Sequence, residues 1–359
     1  MTEVHPAMKL KHGEIEALLN SERSVFDSCT PVFDVACPSS TKLIEKRLNS
    51  SLTLLRQARP SISKEFYLDL RDLPLEFRLD NGNHPAYHLA SQLAFHGYNA
   101  VHCFGFDRDE AYETAIAKIA SEIPTARFAL RLEQQDLKLL DTTEDLTRGF
   151  LNRMNRRFEN TTVIFDLRSI HKSTDDLTAL VERSYRRFQA LRIKNIILLA
   201  SAMWDWSLIK SETITRVPRQ DFTLWQQLRN KGLMLGYGDY GVIAPSYIDP
   251  EKIIIPSPKF RYATSSDWFV VKGEKPRKDE NNQYPRLAQR LMKIDNFRSN
   301  DLSWGHEQIR AIASYEVPAI DPRKAVAIDT CTHLSVITSQ VAYIERQILE
   351  TGRVESIFE

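Results

Sequence analysis

Short apolar runs that end in a polar residue recur along this chain at the spacing of one strand–helix unit. They begin at residues 31 (PVFDV), 65 (EFYLDL), 100 (AVHCF), 127 (RFALRL), 162 (TVIFDL), 195 (NIILLA) and 233 (LMLGY), so successive starts lie 27 to 38 residues apart. An eighth run is expected at 260–263 or at 268–271. Helix-patterned sequence fills most of the gaps. Residues 85–96 stop at Gly97, a residue suited to helix C-termini. Asp107 and Asp109 open 110–120, Thr143 and Glu144 open a stretch reaching 158, and Ser173, Thr174 and Asp175 open 177–191; short polar residues favour such starts. Residues 222–230 precede the seventh run. Strands alternating with helices give a parallel sheet covered on both faces, which also suits continuously apolar strands. An open doubly wound sheet satisfies the same alternation, but a count near eight favours a closed (β/α)8 barrel of the TIM type.

That fold accounts for residues 1–300 of the 359, with 1–29 as an N-terminal lead and 238–266 as a Pro-rich loop excursion. Residues 301–359 read as a C-terminal helical addition, the last helix carrying the apolar stripe Ile337, Val341, Ile344 and Ile348. Lys plus Arg total 48 against 47 for Asp plus Glu, a net charge of +1. So even a balance gives no global attraction to nucleic acid or anionic membranes. Apolar residues at 42% exclude a disordered chain. Cys29, Cys37, Cys103 and Cys331 include no C-x-x-C pair, so free thiols in a reducing cytoplasm are expected. The most apolar run, 196–204, is too short to cross a bilayer.

The charged residues at the strand ends are the candidates for chemistry. Asp34, Asp69, Arg131 and Asp166 each lie at or one residue before the end of a run, and in a barrel these ends share one mouth, where sites are built. Three carboxylates around one Arg can hold Mg²⁺ with Arg131 gripping a phosphate, can supply an acid–base pair, or can form an ion-paired cluster that satisfies itself. Asp239 and Tyr240 fall in the tight turn Gly238-Asp239-Tyr240-Gly241 after the seventh run, and Arg261-Tyr262 form an Arg–aromatic pair; both are candidate ligand-binding residues beside His333. His84 and His88 have zinc-ligand spacing, but Pro85 makes His84 the residue before a helix. The basic groups Arg148, Arg153, Arg156, Arg157 and Arg183, Arg186, Arg187, Arg192 read as solvated helix faces.

Several stations follow one another along the chain. They are Leu10-Lys11-His12-Gly13-Glu14-Ile15-Glu16-Ala17-Leu18, Pro31-Val32-Phe33-Asp34-Val35, Leu130-Arg131-Leu132, Phe165-Asp166-Leu167, and Arg219-Gln220-Asp221 before Leu224-Trp225. Next come Gly238-Asp239-Tyr240-Gly241 with Pro245, Arg261-Tyr262, Lys272-Gly273, Trp304-Gly305 with Ile309, and Thr332-His333-Leu334. In this order they resemble the "beta protein" family of phages, satellite phages and bacterial defence islands. Asp34 stands where the family usually has Glu, Lys272 where it has Arg, and Thr332-His333 where it has a histidine pair. The resemblance implies a role in phage–host conflict, in some members by restraining a toxic partner protein.

Two functions follow as expectations. One is a non-enzymatic cytoplasmic barrel that binds a protein encoded by a neighbouring gene, its mouth cluster being structural or sensing a small anionic ligand. The other is an enzyme in which Asp34, Asp69, Arg131 and Asp166 act on a phosphorylated or nucleotide substrate, with Mg²⁺ as its cofactor.

Overall fold

The computed structural model describes residues 3–62, 65–170, 174–202, 209–246, 256–276, 282–295, 297, 303–317 and 319–351. Eight parallel strands form one sheet: β1 (Ala7–Lys9), β2 (Val32–Asp34), β3 (Phe66–Asp69), β4 (Ala100–Phe104), β5 (Arg127–Glu133), β6 (Thr161–Ser169), β7 (Ile196–Ser201) and β9 (Gly236–Asp239), neighbours in that order. The two edges meet just before β1. Val4 bridges to Tyr237 of β9, and the His5 N–H donates to the Tyr237 carbonyl at 2.7 Å. Glycine is required at this seam. A Cβ at Gly236 would stand 2.9 Å from the His5 ring, and one at Gly238 would stand 2.8 Å from the His5 carbonyl. The eight strands thus form a TIM-type barrel.

The expected count of eight holds, but its membership differs at both ends. The first strand, Ala7–Lys9, lies inside the stretch read as a lead; three residues reading AMK carry no β-branched signal. Neither expected eighth run enters the barrel. Residues 260–263 and 268–271 fall in β10 (Lys259–Ala263) and β11 (Asp267–Lys272), an antiparallel hairpin. Its other neighbour is β8 (Thr213–Pro218), a strand the run pattern does not mark. A three-residue connection suits a hairpin, whereas a parallel crossover needs a dozen residues or more.

The outer helices begin where their caps dictate. Asp109 accepts the Tyr112 N–H at 2.8 Å to start α5 (Glu110–Glu122). The His84 ring accepts the Ala86 N–H at 3.1 Å to start α4 (Pro85–Phe95), which makes His84 a cap rather than a zinc ligand. α8 (Asp175–Ala190) and α9 (Gln220–Asn230) follow their expected positions, while α7 (Leu140–Arg153) opens three residues before Thr143 and ends five short of 158; Ser173 lies outside the described residues. Trp225 of α9 is fully buried, its indole N–H donating to the Leu235 carbonyl at 3.0 Å. A side chain of that kind contributes roughly 1.5–3 kcal/mol by burial.

The chain ends in α10 (Tyr284–Leu291), α11 (Trp304–Ala313) and α12 (Pro322–Thr351). α12 starts at Pro322, well ahead of the apolar stripe that marks it in the sequence. Leu334, Ile337, Val341 and Ile344 join the main core, with Ile348 packed against it. Polar groups flanking that stripe tie α12 down: Asp329 to Arg261, His333 to Asp239, Gln340 to Arg219 and Glu345 to Arg229. No helix among the described residues is long and apolar enough to cross a membrane.

Candidate functional site

Strand alternation aims five charged residues into the mouth. Ala7, Val32, Tyr67, Ala129 and Ile164 belong to the apolar cluster inside the barrel. Lys9, Asp34, Asp69, Arg131 and Asp166 each follow one of them by two residues, so they point the same way one level higher. The four residues singled out from sequence therefore meet. Arg131 donates to Asp34 at 2.7 Å, to Asp69 at 2.9 Å, to Asp166 at 2.9 Å and to the Tyr240 hydroxyl at 2.8 Å. Arg131 and Asp34 are 1% exposed, Asp69 and Asp166 0%.

More cations complete the cluster than the sequence reading named. Lys9 donates to Asp34 at 3.2 Å and to Asp72 at 2.6 Å. Arg108 grips Asp69 at 2.8 Å. Arg71 reaches Asp166 at 3.2 Å and Asp107 at 3.2 Å, and it pairs with Glu133. Arg168 donates to the Tyr240 hydroxyl at 3.3 Å and to the Pro245 carbonyl at 3.0 Å, which lays the loop after β9 across the mouth; residues 247–255 of that loop lie outside the described residues.

A short repeat is the signal that marks two of these. Asp69-Leu70-Arg71 and Asp166-Leu167-Arg168 share one device. In each, the aspartate accepts the backbone N–H of the arginine two residues on, at 2.9 Å, and so turns the chain back over the mouth. Arg168 has φ +57°, beside a register shift between Asp166 and Ser169. A bulge at a barrel rim re-aims a side chain in this way.

The electrostatics follow from these contacts. Burial pushes the Asp34 carboxyl upward, yet Arg131 and Lys9 overcome it and hold Asp34 well below the ordinary aspartate value. Asp69 is held down against burial by Arg108 and Arg131. Burial raises the Tyr240 phenol, which stays protonated and donates to Asp166 at 2.6 Å. The residues do not fit a magnesium site. Arg131 fills the space between the three carboxylates, and among the described residues no three His, Cys, Asp or Glu side chains are grouped to hold a metal. The rim, with Arg71, Asp72, Asp107, Glu133 and Arg168, is partly open to solvent.

The other expected ligand residues lie elsewhere, Tyr240 excepted. In β9 it is Gly238 that shares the inward phase, so Tyr237 and Asp239 face outward between barrel and helices. Asp239 accepts from the Tyr237 hydroxyl at 2.7 Å and meets the His333 ring at 2.9 Å, while Asp221 lies 3.0 Å from the same hydroxyl oxygen. Burial raises the Asp239 carboxyl, but His333 and Arg219 bring it below its ordinary value. The His333 ring lies 4.6 Å from that of Trp268, tilted by 33°. Asp239 and His333 thus pin α12 to the barrel and are not part of the mouth. Arg261 pairs with Asp329 at 2.8 Å and the Tyr262 hydroxyl meets His306 at 3.2 Å, in a third group beneath α12. His102 is held neutral by burial, its pKa lowered to about 4. The outer basic faces are matched by acids: Arg148 with Glu144, Arg153 with Glu113, Arg186 with Glu182 and Arg187 with Asp141.

No curated protein matches this sequence. Among solved structures, the chain is similar to triosephosphate isomerase from Bartonella henselae, at 10% identity over 66% of this chain and 92% of that one, with TM-score 0.35. It is also similar to a mandelate racemase/muconate lactonizing protein from Herpetosiphon aurantiacus, at 9% identity over 77% of this chain and 64% of that one, with TM-score 0.36. Nothing of either protein's chemistry transfers at these identities. The family model described as "Beta protein" matches residues 5–338, nearly the whole chain. The chain belongs to the Beta protein family.

Proposed function

We propose that this protein acts in phage–host conflict by binding a partner protein encoded beside it, the buried mouth cluster serving to fix the barrel's upper face rather than to perform chemistry. One observation supports this reading above the others: the mouth carboxylates are already saturated. Asp34, Asp69 and Asp166 all engage Arg131, and each takes a second cation from Lys9, Arg108 or Arg71. A general acid or base needs an atom within reach of substrate, and these are covered. The part offered to a partner or a small ligand is the charged rim of Arg71, Glu133 and Arg168. Charge arranged in this way confers specificity and steers encounter.

The test separates binding from chemistry. Asp166→Asn, purified folded, is assayed for capture of the neighbouring gene's product and for phage protection in cells. The binding reading expects both to persist. A folded variant that still captures its partner yet no longer protects would sink it and establish an enzymatic mouth.

A further inference from the structure

A cavity of about 560 Å³ opens beside the mouth, between β1, the start of α1 (His12–Asn20), α3 (Ile44–Ala58), β10 and the start of α12. That volume is typical of small-molecule sites, which run from about 300 to 1,000 Å³. Its charged lining is nearly all of one sign. Lys9, Lys11, Arg47, Lys259, Arg261 and Arg323 contribute from four separate parts of the chain, against the single carboxyl of Glu14. In a chain whose total charge is +1, six cations around one hollow are a strong local concentration. Leu54, Ile243, Tyr284 and Val326 supply apolar wall between them.

The position of the cavity is built rather than incidental. Arg261 is 6% exposed and held in place by Asp329 at 2.8 Å. A Cβ at Gly13 would stand 2.9 Å from the Arg323 carbonyl, so glycine lets the first turn of α1 close on the first turn of α12. Both helices then present their N-terminal ends to the same space, and helix N-termini favour anions. Lys9 joins this cavity to the mouth, since its ammonium bonds Asp34 and Asp72.

We infer that this cavity binds a phosphorylated small molecule of nucleotide size, its phosphates among the lysines and arginines and its body against the apolar wall. The inference goes beyond the proposed function, and partner capture does not depend on it. A phosphate bound here stands next to Lys9 and so next to the Lys9–Asp34–Asp72 contacts at the mouth. Occupancy thereby has a direct route to the rim.

Calorimetric titration of the whole protein with ADP, adenosine and inorganic pyrophosphate tests it. ADP is expected to bind saturably, with adenosine at least about tenfold weaker because it lacks phosphate, and pyrophosphate weaker than ADP because it lacks the apolar body. Lys11→Ala with Lys259→Ala should weaken ADP by about tenfold or more. Arg323→Ala, at the exposed edge, gives a second reading should the double variant fail to fold. The inference is overturned if neither ADP nor pyrophosphate binds at millimolar concentration, if adenosine binds as well as ADP, or if the folded variants bind ADP unchanged. Loss of ADP binding with retained partner capture separates failure of this site from failure of the proposed function.

Discussion

Buried carboxylates occupy two regions of this protein, and they respond to burial in opposite ways. At the barrel mouth Asp34 and Asp69 are driven below the ordinary aspartate value. Beneath α12, burial outweighs Arg261 and lifts Asp329 to about 7, and at the neighbouring cavity burial lifts Glu14 to about 7 against Lys11, Lys9 and Arg261. All four are almost fully buried. What differs is the number of cations in hydrogen-bond contact: two each for Asp34 and Asp69, one for Asp329. A single arginine does not repay the loss of water around a buried carboxylate, while two do. Asp34 and Asp69 are therefore held ionised, and the cavity side holds groups that change their charge near neutrality.

The largest expected difference comes from removing the arginine of each region. Arg131→Met strands three carboxylates and should lower unfolding free energy in urea at pH 7 by about 4 kcal/mol or more. Arg261→Met strands one carboxyl that can take up a proton, so about 1–2 kcal/mol is expected. Equal losses would break the comparison.

The second effect is a matter of pH. Glu14 is raised from its ordinary 4.5 to about 7. Its contribution to stability is therefore whole below pH 4.5 and is lost as the pH rises through 7. Glu14→Gln cannot ionise and should exceed the parent at pH 8 by up to about 3 kcal/mol in thermal or urea unfolding, with the two alike near pH 4.5. A gain that does not depend on pH contradicts the raised value. For Asp34 the sign is reversed: its contribution is whole above the ordinary aspartate value and is lost as the pH falls below it.

The smallest effect calibrates the others. Arg148→Ala removes an exposed pair with Glu144 and should change stability by about 0.5 kcal/mol or less. A larger loss would give the outer basic face a structural part that the mouth comparison denies it.

The mouth was legible from sequence where strand ends were marked by apolar runs. Asp34, Asp69, Arg131 and Asp166 follow inward residues by two, and alternation alone brings them together. Lys9 obeys the same rule, but its strand is three residues long with no β-branched residue, so no run announces it. Arg71 and Arg168 lie beyond strand ends, and only the repeated Asp-Leu-Arg marks them. Asp239 follows the seventh run along the chain as the mouth residues follow theirs, yet its phase in β9 turns it outward to His333.

The sequence by itself determined the strand–helix repeat, the parallel sheet it builds and the core of its mouth, because period and spacing are local properties. Tertiary structure alone decided which segment closes the ring, that Asp239 and His333 clamp a helix, and that six cations from distant segments surround one cavity. Charges so far apart in the chain meet only after folding, and whether a buried carboxyl stays ionised depends on how many of those cations arrive beside it.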